Sequence, residues 1–461
     1  MKEKIIVFGT GTYYEKYKKE LQSYKILAFL DNDVKKQGKI LDGINIVPVK
    51  EGICLSFDYI ILLSKYEDEM KEQLKCLGVP LSKIIEMEDF FKSRVYREYK
   101  VYTNSVCSTD YNALFVSNSL SLTGAPIVLM NAAKILMEAG YTPIFLSNTD
   151  GKLKDELLEM GITVVVEEHL EAFSYKLQCW LDQVELAFIN TFVYYRALLN
   201  CNLSGKKVFW WLHEGENYYE NIQANMEDQK KLQSLCILGV GSVACKSFQQ
   251  VYGIQPYTLL YGIEEIKQTR DSGNKNDMIT FAIIGSVIKR KGTDIFIRAI
   301  KLMDAELRRK AIFLIIGEHS GSDPALYDEI LNIQKEIPQI IVTGEVDHRE
   351  MPDLYQKIDV LVCPSRVDPM PVVVTEAMSQ GKLCIVSNRV GTASYIDDGE
   401  NGMIVPSENM EDLKKAMEFV IMNPVKCKKM GERSRKVYET YFSMESFRFN
   451  LMDIVNCLNK N

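Results

Sequence analysis

Residues 359–387 read DVLVCPSRVDPMPVVVTEAMSQGKLCIVS. VLVC from Val360 is a short apolar, β-branched run, and LCIVS from Leu383 is another. Between them lie a proline-bearing loop carrying Asp368 and a helix-like start, VVVTEAMS, carrying Glu376. Two buried strands joined through a helix read as parallel neighbours, because parallel strands need a crossover connection. In doubly wound sheets ligands bind outside the carboxyl ends of the strands. Asp368 and Glu376 therefore fall where a ligand would sit.

The segment just upstream repeats the pattern. MITFAIIGS from Met278 is an apolar strand, followed by the turn SVIKRKGTD and a helix. Lys291 stands directly before Gly292, where its ammonium can meet a diphosphate as a point charge and the helix dipole adds to the attraction. Further back, ALFVSNS from Ala113 ends in the glycine turn LTGAP, with Pro126 in the first helical turn. The amides around Thr123, Gly124 and Ala125 face whatever anion lies across the cleft. KKVFWWLHEGE places His213 and Glu214 at the carboxyl end of an apolar strand, which gives the pair a role in the cleft rather than one of capping the strand.

At the N-terminus FGTGTYY follows a strand and precedes a helix, and Asp31 closes the next strand. Gly9 and Gly11 fit the first two positions of a dinucleotide fingerprint, but Tyr14 stands where its third glycine or alanine belongs. The turn reads first as one kept for folding. Docking and nucleotide sensing stay open.

Strand and helix alternate in this way through three successive sheets. The expected divisions are 1–95, 108–267 and 277–440, with a C-terminal helix at 441–461 crossing back; the polar stretch 92–105 and the linker QTRDSGNKND at 268–277 separate the sheets. A chain of 461 residues has room for about three domains. With 47% hydrophobic and 25% charged residues it is globular, and a net charge of -7 gives no reason to expect nucleic acid. No apolar run approaches a membrane span, and MKEKIIVFGTG does not read as a signal peptide. Eleven scattered cysteines without a CxxC pair fit a reducing cytoplasm, and four unclustered histidines argue against zinc.

From about Ala113 onward the chain resembles the retaining glycosyltransferases of family 4. Asp368 and Glu376 have the family's seven intervening residues, TEAM supplies the context of its second carboxylate, and AGY at 139–141 ends the first helix as the family's does. The resemblance implies an α/β chain of GT-B architecture, two facing Rossmann-like domains. Residues 1–95, with FLDND, LDGINIVP and GVPLSKII, resemble the extra Rossmann-like domain found beside sugar-modifying enzymes. The implied activity is transfer of a hexosyl-type group, with retention, from a nucleotide sugar to an acceptor hydroxyl in surface or extracellular polysaccharide assembly. His213 and Asp368 are the implied catalytic residues. Gly124, Ser286, Arg290, Lys291, Met370, Val372 and Glu376 are the implied donor-binding residues, with Glu376 on the ribose hydroxyls.

No cofactor or metal is implied beyond the nucleotide-sugar co-substrate. The implied acceptor is a glycan, lipid-linked or protein hydroxyl, with the enzyme peripheral at the inner face of a membrane and a homo-oligomer through its N-terminal domain. A non-catalytic GT-B subunit that binds a partner transferase or acceptor protein is the alternative. Three departures stand out. Asp368 is shorter than the usual glutamate, Ser286 replaces an arginine, and Pro369 and Pro371 remove two N–H donors, leaving those of Met370 and Val372. These imply a donor sugar with fewer hydroxyls to satisfy, such as a deoxy sugar.

Overall fold

The computed structural model describes residues 2–94, 98–104, 110–219, 226–266, 278–319, 321, 323–346 and 350–457. The linker expected at 268–277 lies outside them. The chain forms two compact units. One comprises Met1–Glu98 with Ala172–Gln178, the other Tyr99–Glu171 with Cys179–Asn461.

The first unit carries a six-stranded sheet in the order Ile40–Leu41, Ile44–Val47, Lys25–Leu30, Lys4–Phe8, Tyr59–Leu62, Ile84–Ile85. All neighbours are parallel except the first pair. Gly9 is required by this packing: its φ is 115°, and a Cβ there would lie 2.3 Å from the Leu63 carbonyl oxygen. Asp31 is held from within. Its Oδ1 accepts the Asp33 N–H at 2.9 Å, and its Oδ2 accepts the Thr10 hydroxyl and the Lys36 ammonium. The first unit also includes residues 172–178, which the sequence reading assigned to the second domain. Phe173 packs on Tyr17 and Phe91, and Glu88 accepts the Ser174 hydroxyl and the Tyr175 N–H.

The second unit contains two sheets. The larger has eight strands, in the order Tyr257–Thr258, Cys236–Gly239, Lys207–Leu212, Leu186–Asn190, Ala113–Ser117, Pro143–Ser147, Thr163–Val166, Lys100–Tyr102. The last is antiparallel to its neighbour, with Val164 opposite Tyr102. Lys100–Tyr102 lies in the stretch read as a linker; three residues are too few to display a period of two. The smaller sheet is wholly parallel, in the order Ile340–Gly344, Ala311–Ile316, Ile279–Ile284, Val360–Cys363, Leu383–Ser387, Met403–Val405.

Among the parallel strands both orders reverse direction once. In the larger sheet the reversal falls between Ala113–Ser117 and Leu186–Asn190, and in the smaller between Ile279–Ile284 and Val360–Cys363. Loops leaving two such strands diverge to opposite faces and open a crevice. After the smaller sheet the helix Pro424–Tyr441 leads into Met444–Cys457, which returns to the larger sheet. There Phe447 lies 5.8 Å from the Trp211 ring, Arg448 pairs with Glu138, and the Ile263 N–H donates to the Phe442 carbonyl. Among the described residues no helix is long and apolar enough to cross a membrane.

Candidate functional site

The crevice of the smaller sheet is built first by glycines. The strand Ile279–Ile284 ends at Gly285, and one 3₁₀ turn, Lys289–Lys291, leads to Gly292 with φ 77°. A Cβ on Gly292 would stand 2.3 Å from the Pro364 carbonyl oxygen, so this loop can lie against the loop after Val360–Cys363 only without a side chain there. The Arg366 N–H donates to the Arg290 carbonyl at 2.8 Å. The Arg366 guanidinium also clasps Asp294 with two bonds of 2.8 Å. Burial opposes ionisation of Asp294, yet this clasp holds its carboxyl below the ordinary value.

These ties bring three of the expected residues together. Lys291 Nζ donates to Asp368 Oδ2 at 2.6 Å, and the Arg290 guanidinium lies 3.8 Å from the same oxygen. The Asp368 side chain is only 10% exposed, whereas that of Arg290 is 52% exposed. Asp368 thus meets the very lysine that was assigned to phosphate. Ser286 is exposed on the same loop.

Beyond Asp368 the helix Val372–Ser379 starts behind Pro371. Tyr261 fastens this start: its hydroxyl lies 3.1 Å from Thr375 Oγ1 and 3.4 Å from the Met370 carbonyl. The Met370 side chain is buried and packed, so what Met370 offers a ligand is confined to its main chain. Glu376 sits on the same helix, and its Oε2 accepts the Tyr355 hydroxyl at 2.7 Å.

The larger sheet meets this loop through glycines of its own. A Cβ on Gly124 would lie 3.1 Å from Val372 Cγ2, one on Gly215 2.9 Å from Val367 Cγ1, and one on Gly241 2.2 Å from Met370 Cε. Gly124 and Val372 are the first residues of their helices. First-turn amides have no partner inside a helix and favour anions. Two such ends therefore face each other across the crevice.

His213 follows the strand Lys207–Leu212, with its ring 5.0 Å from that of Trp211. Its Nε2 is buried without a hydrogen-bond partner among the described residues, and burial pushes the imidazole down to about 3. Glu214 is buried beside it and accepts the backbone N–H groups of Phe192 at 2.8 Å and His213 at 2.9 Å. Burial pushes its carboxyl up to about 7. Sequence reasoning named Glu214 but missed Tyr261 and Tyr355. In LLYGIEE and MPDLYQKID each reads as one more core aromatic, and no local signal marks the hydroxyl as aimed at the crevice.

Residues 264–437 match the family described as Glycosyl transferases group 1, and residues 111–247 match Glycosyl-transferase family 4. Residues 1–85 match the C2185-like N-terminal family. A protein of the cps region of Klebsiella pneumoniae is 31% identical over 158 residues, which is 34% of this chain and 40% of that protein. A glycosyltransferase of Methanocaldococcus jannaschii is 29% identical over 174 residues, 37% of this chain and 46% of its own length. The chain thus spans less than half the length of these curated relatives. Among solved structures, HepE of Anabaena in complex with UDP and glucose superimposes with a TM-score of 0.63 at 15% identity, covering 75% of this chain and 99% of HepE. That likeness is one of fold. The two sheets that share the crevice therefore carry a glycosyltransferase family 4 domain and a glycosyltransferase group 1 domain in the GT-B fold, preceded by a C2185-like N-terminal domain.

Proposed function

We propose that the chain is a glycosyltransferase that moves a hexosyl-type group, with retention, from a nucleotide sugar to an acceptor hydroxyl in glycan assembly. The observation that carries this reading is the Arg290–Lys291–Asp368 cluster at the switch point, opposite the first turn of the Gly124–Glu138 helix. Lys291 has three N–H donors and gives one to Asp368, so two remain for phosphate oxygens. Arg290 adds an exposed guanidinium, and the helix amides at Gly124 and Val372 complete the anion site. Glu376 accepts from the ribose hydroxyls. Asp368 and His213 are assigned to the sugar.

In the proposed front-face transfer, the bond from the anomeric carbon to the diphosphate breaks as the bond to the acceptor oxygen forms on the same side. The acceptor's proton passes to the departing phosphate. The protein lowers the barrier mainly by holding the leaving anion and the partners in place. We assign the charge of the diphosphate to these protein donors rather than to a metal ion, so EDTA should leave transfer intact; loss restored by magnesium would overturn that part. The name of the Klebsiella relative, a protein of a cps region, supports a place in polysaccharide assembly on a glycan or lipid-linked acceptor.

Calorimetry with UDP, GDP and dTDP tests the site. Lys291→Ala should weaken the bound diphosphate by about 1–3 kcal/mol, the worth of a charged hydrogen bond, and hardly change the bare nucleoside. Equal losses for both, or no nucleotide bound by the native chain, would remove the proposal. A donor that is bound but neither hydrolysed nor transferred would mark the non-catalytic subunit instead.

A further inference from the structure

We propose that Tyr355 is a positioning residue that gives the donor site its preference for ribose over deoxyribose, by holding the Glu376 carboxylate in one orientation. This rests on the donor-site reading above. Tyr355 lies on the helix Met351–Lys357, packed at 0% exposure beneath the Val372–Ser379 helix. Its hydroxyl has two acceptors within reach, Glu376 Oε2 at 2.7 Å and the Val373 carbonyl at 3.3 Å. One proton cannot serve both fully, and the shorter bond to a charged oxygen is the stronger.

If Tyr355 were only a filler, phenylalanine would do as well. A buried hydroxyl costs free energy unless it is bonded, and the shorter of the two bonds that satisfy it goes to the Glu376 carboxylate. Burial, with the neighbouring Glu376 charge, pushes the phenol well above its ordinary value. It therefore stays a donor across the working pH range.

The terminal torsion of a glutamate is broad and nearly two-fold, so an unattached carboxylate samples many planes. A vicinal diol is met well only by a carboxylate whose two oxygens lie in its plane. Anchoring Oε2 from below removes that freedom before the nucleotide arrives, which lowers the ordering cost of binding. The gain exists only when both ribose hydroxyls are present. A 2′-deoxynucleotide cannot collect it.

The test is calorimetry on the full chain with UDP against 2′-deoxy-UDP, and GDP against 2′-deoxy-GDP. The proteins are the native chain, Tyr355→Phe, Glu376→Ala and the double variant, with melting curves to verify folding. The native chain should prefer the ribonucleotide. Tyr355→Phe should shrink that preference on the order of three- to tenfold, by weakening the ribonucleotide alone. In the Glu376→Ala background the same change should do nothing further. An unchanged preference in Tyr355→Phe, or an undiminished effect without Glu376, overturns the inference and leaves the donor site standing. A native chain that binds neither nucleotide removes the donor-site reading, and the inference with it.

Discussion

Glu214 is buried, His213 beside it is half-buried with its Nε2 enclosed, and the two titrate in opposite senses. The folded pKa of Glu214, about 7, lies above its ordinary 4.5, so the folded state holds a proton the unfolded state has released. Its contribution to stability is complete below about 4.5 and is lost as pH rises through about 7. His213 falls from 6.5 to about 3, so its contribution is present above 6.5 and is lost as pH drops. From 4.5 to 6.5 the two oppose each other, and above 6.5 only Glu214 acts. Each pKa unit corresponds to roughly 1.4 kcal/mol. Relative to Glu214→Gln, in which only the His213 rise remains, the native chain should therefore lose up to about 3 kcal/mol more stability between pH 5 and pH 8. Urea midpoints at the two pH values measure it, and parallel behaviour of the two proteins would refute it. That His213 and Glu214 close an apolar strand was legible in KKVFWWLHEGE. That Glu214 spends both oxygens on the backbone of two separate segments was not, because Phe192 lies on another loop.

The element that decides the site is the loop 367–372, and its neighbours are glycines for a reason of space. A Cβ on Gly391 would lie 1.7 Å from the Pro369 carbonyl oxygen, a backbone atom locked between two prolines. A Cβ on Gly241 would lie 2.2 Å from Met370 Cε, the free end of a flexible side chain. Backbone cannot yield cheaply, whereas a methionine tip can turn aside. Gly391→Ala should cost about 2–4 kcal/mol and disturb donor binding, whereas Gly241→Ala should cost about 1 kcal/mol or less. Thermal melts of the two variants decide this, and similar melting temperatures would contradict the assignment of rigidity to the prolines. The prolines themselves were visible in RVDPMPV, along with the two N–H groups they remove. Their packing partners, 22 residues downstream and more than 100 upstream, were not.

At the scale of the whole molecule the chain does not divide where its composition changes. The first unit takes back residues 172–178, and Phe173 is 2% exposed within that unit's core. A chain beginning at Tyr99 keeps the edge strand Lys100–Tyr102 and should bind nucleotide within about 0.5 kcal/mol of the full protein, because every residue assigned to the donor site belongs to the second unit. It should also expose Phe173, at a cost of roughly 2–3 kcal/mol for one aromatic side chain, and bind hydrophobic dyes. Phe173→Ser in the shortened chain should relieve the dye binding. A shortened chain that folds but has lost nucleotide affinity would show that the first unit contributes to the site.

The sequence by itself determined the alternation of strand and helix, the parallel character of the sheets, and the placement of Lys291, Asp368 and Glu376 at strand ends and helix starts. Those follow from periodicity and from glycine and proline chemistry, which act over a few residues. Only the tertiary structure decided that Lys291 and Asp368, 77 positions apart, share a hydrogen bond, that Gly124 faces Val372, and that Tyr355 holds Glu376. These pairings depend on the order of strands in the sheet, in which Ile279–Ile284 lies beside Val360–Cys363 and two intervening strands go to the other side. That order is set by how whole crossovers bury their apolar faces together, a choice made over a hundred residues that leaves no mark on any ten of them.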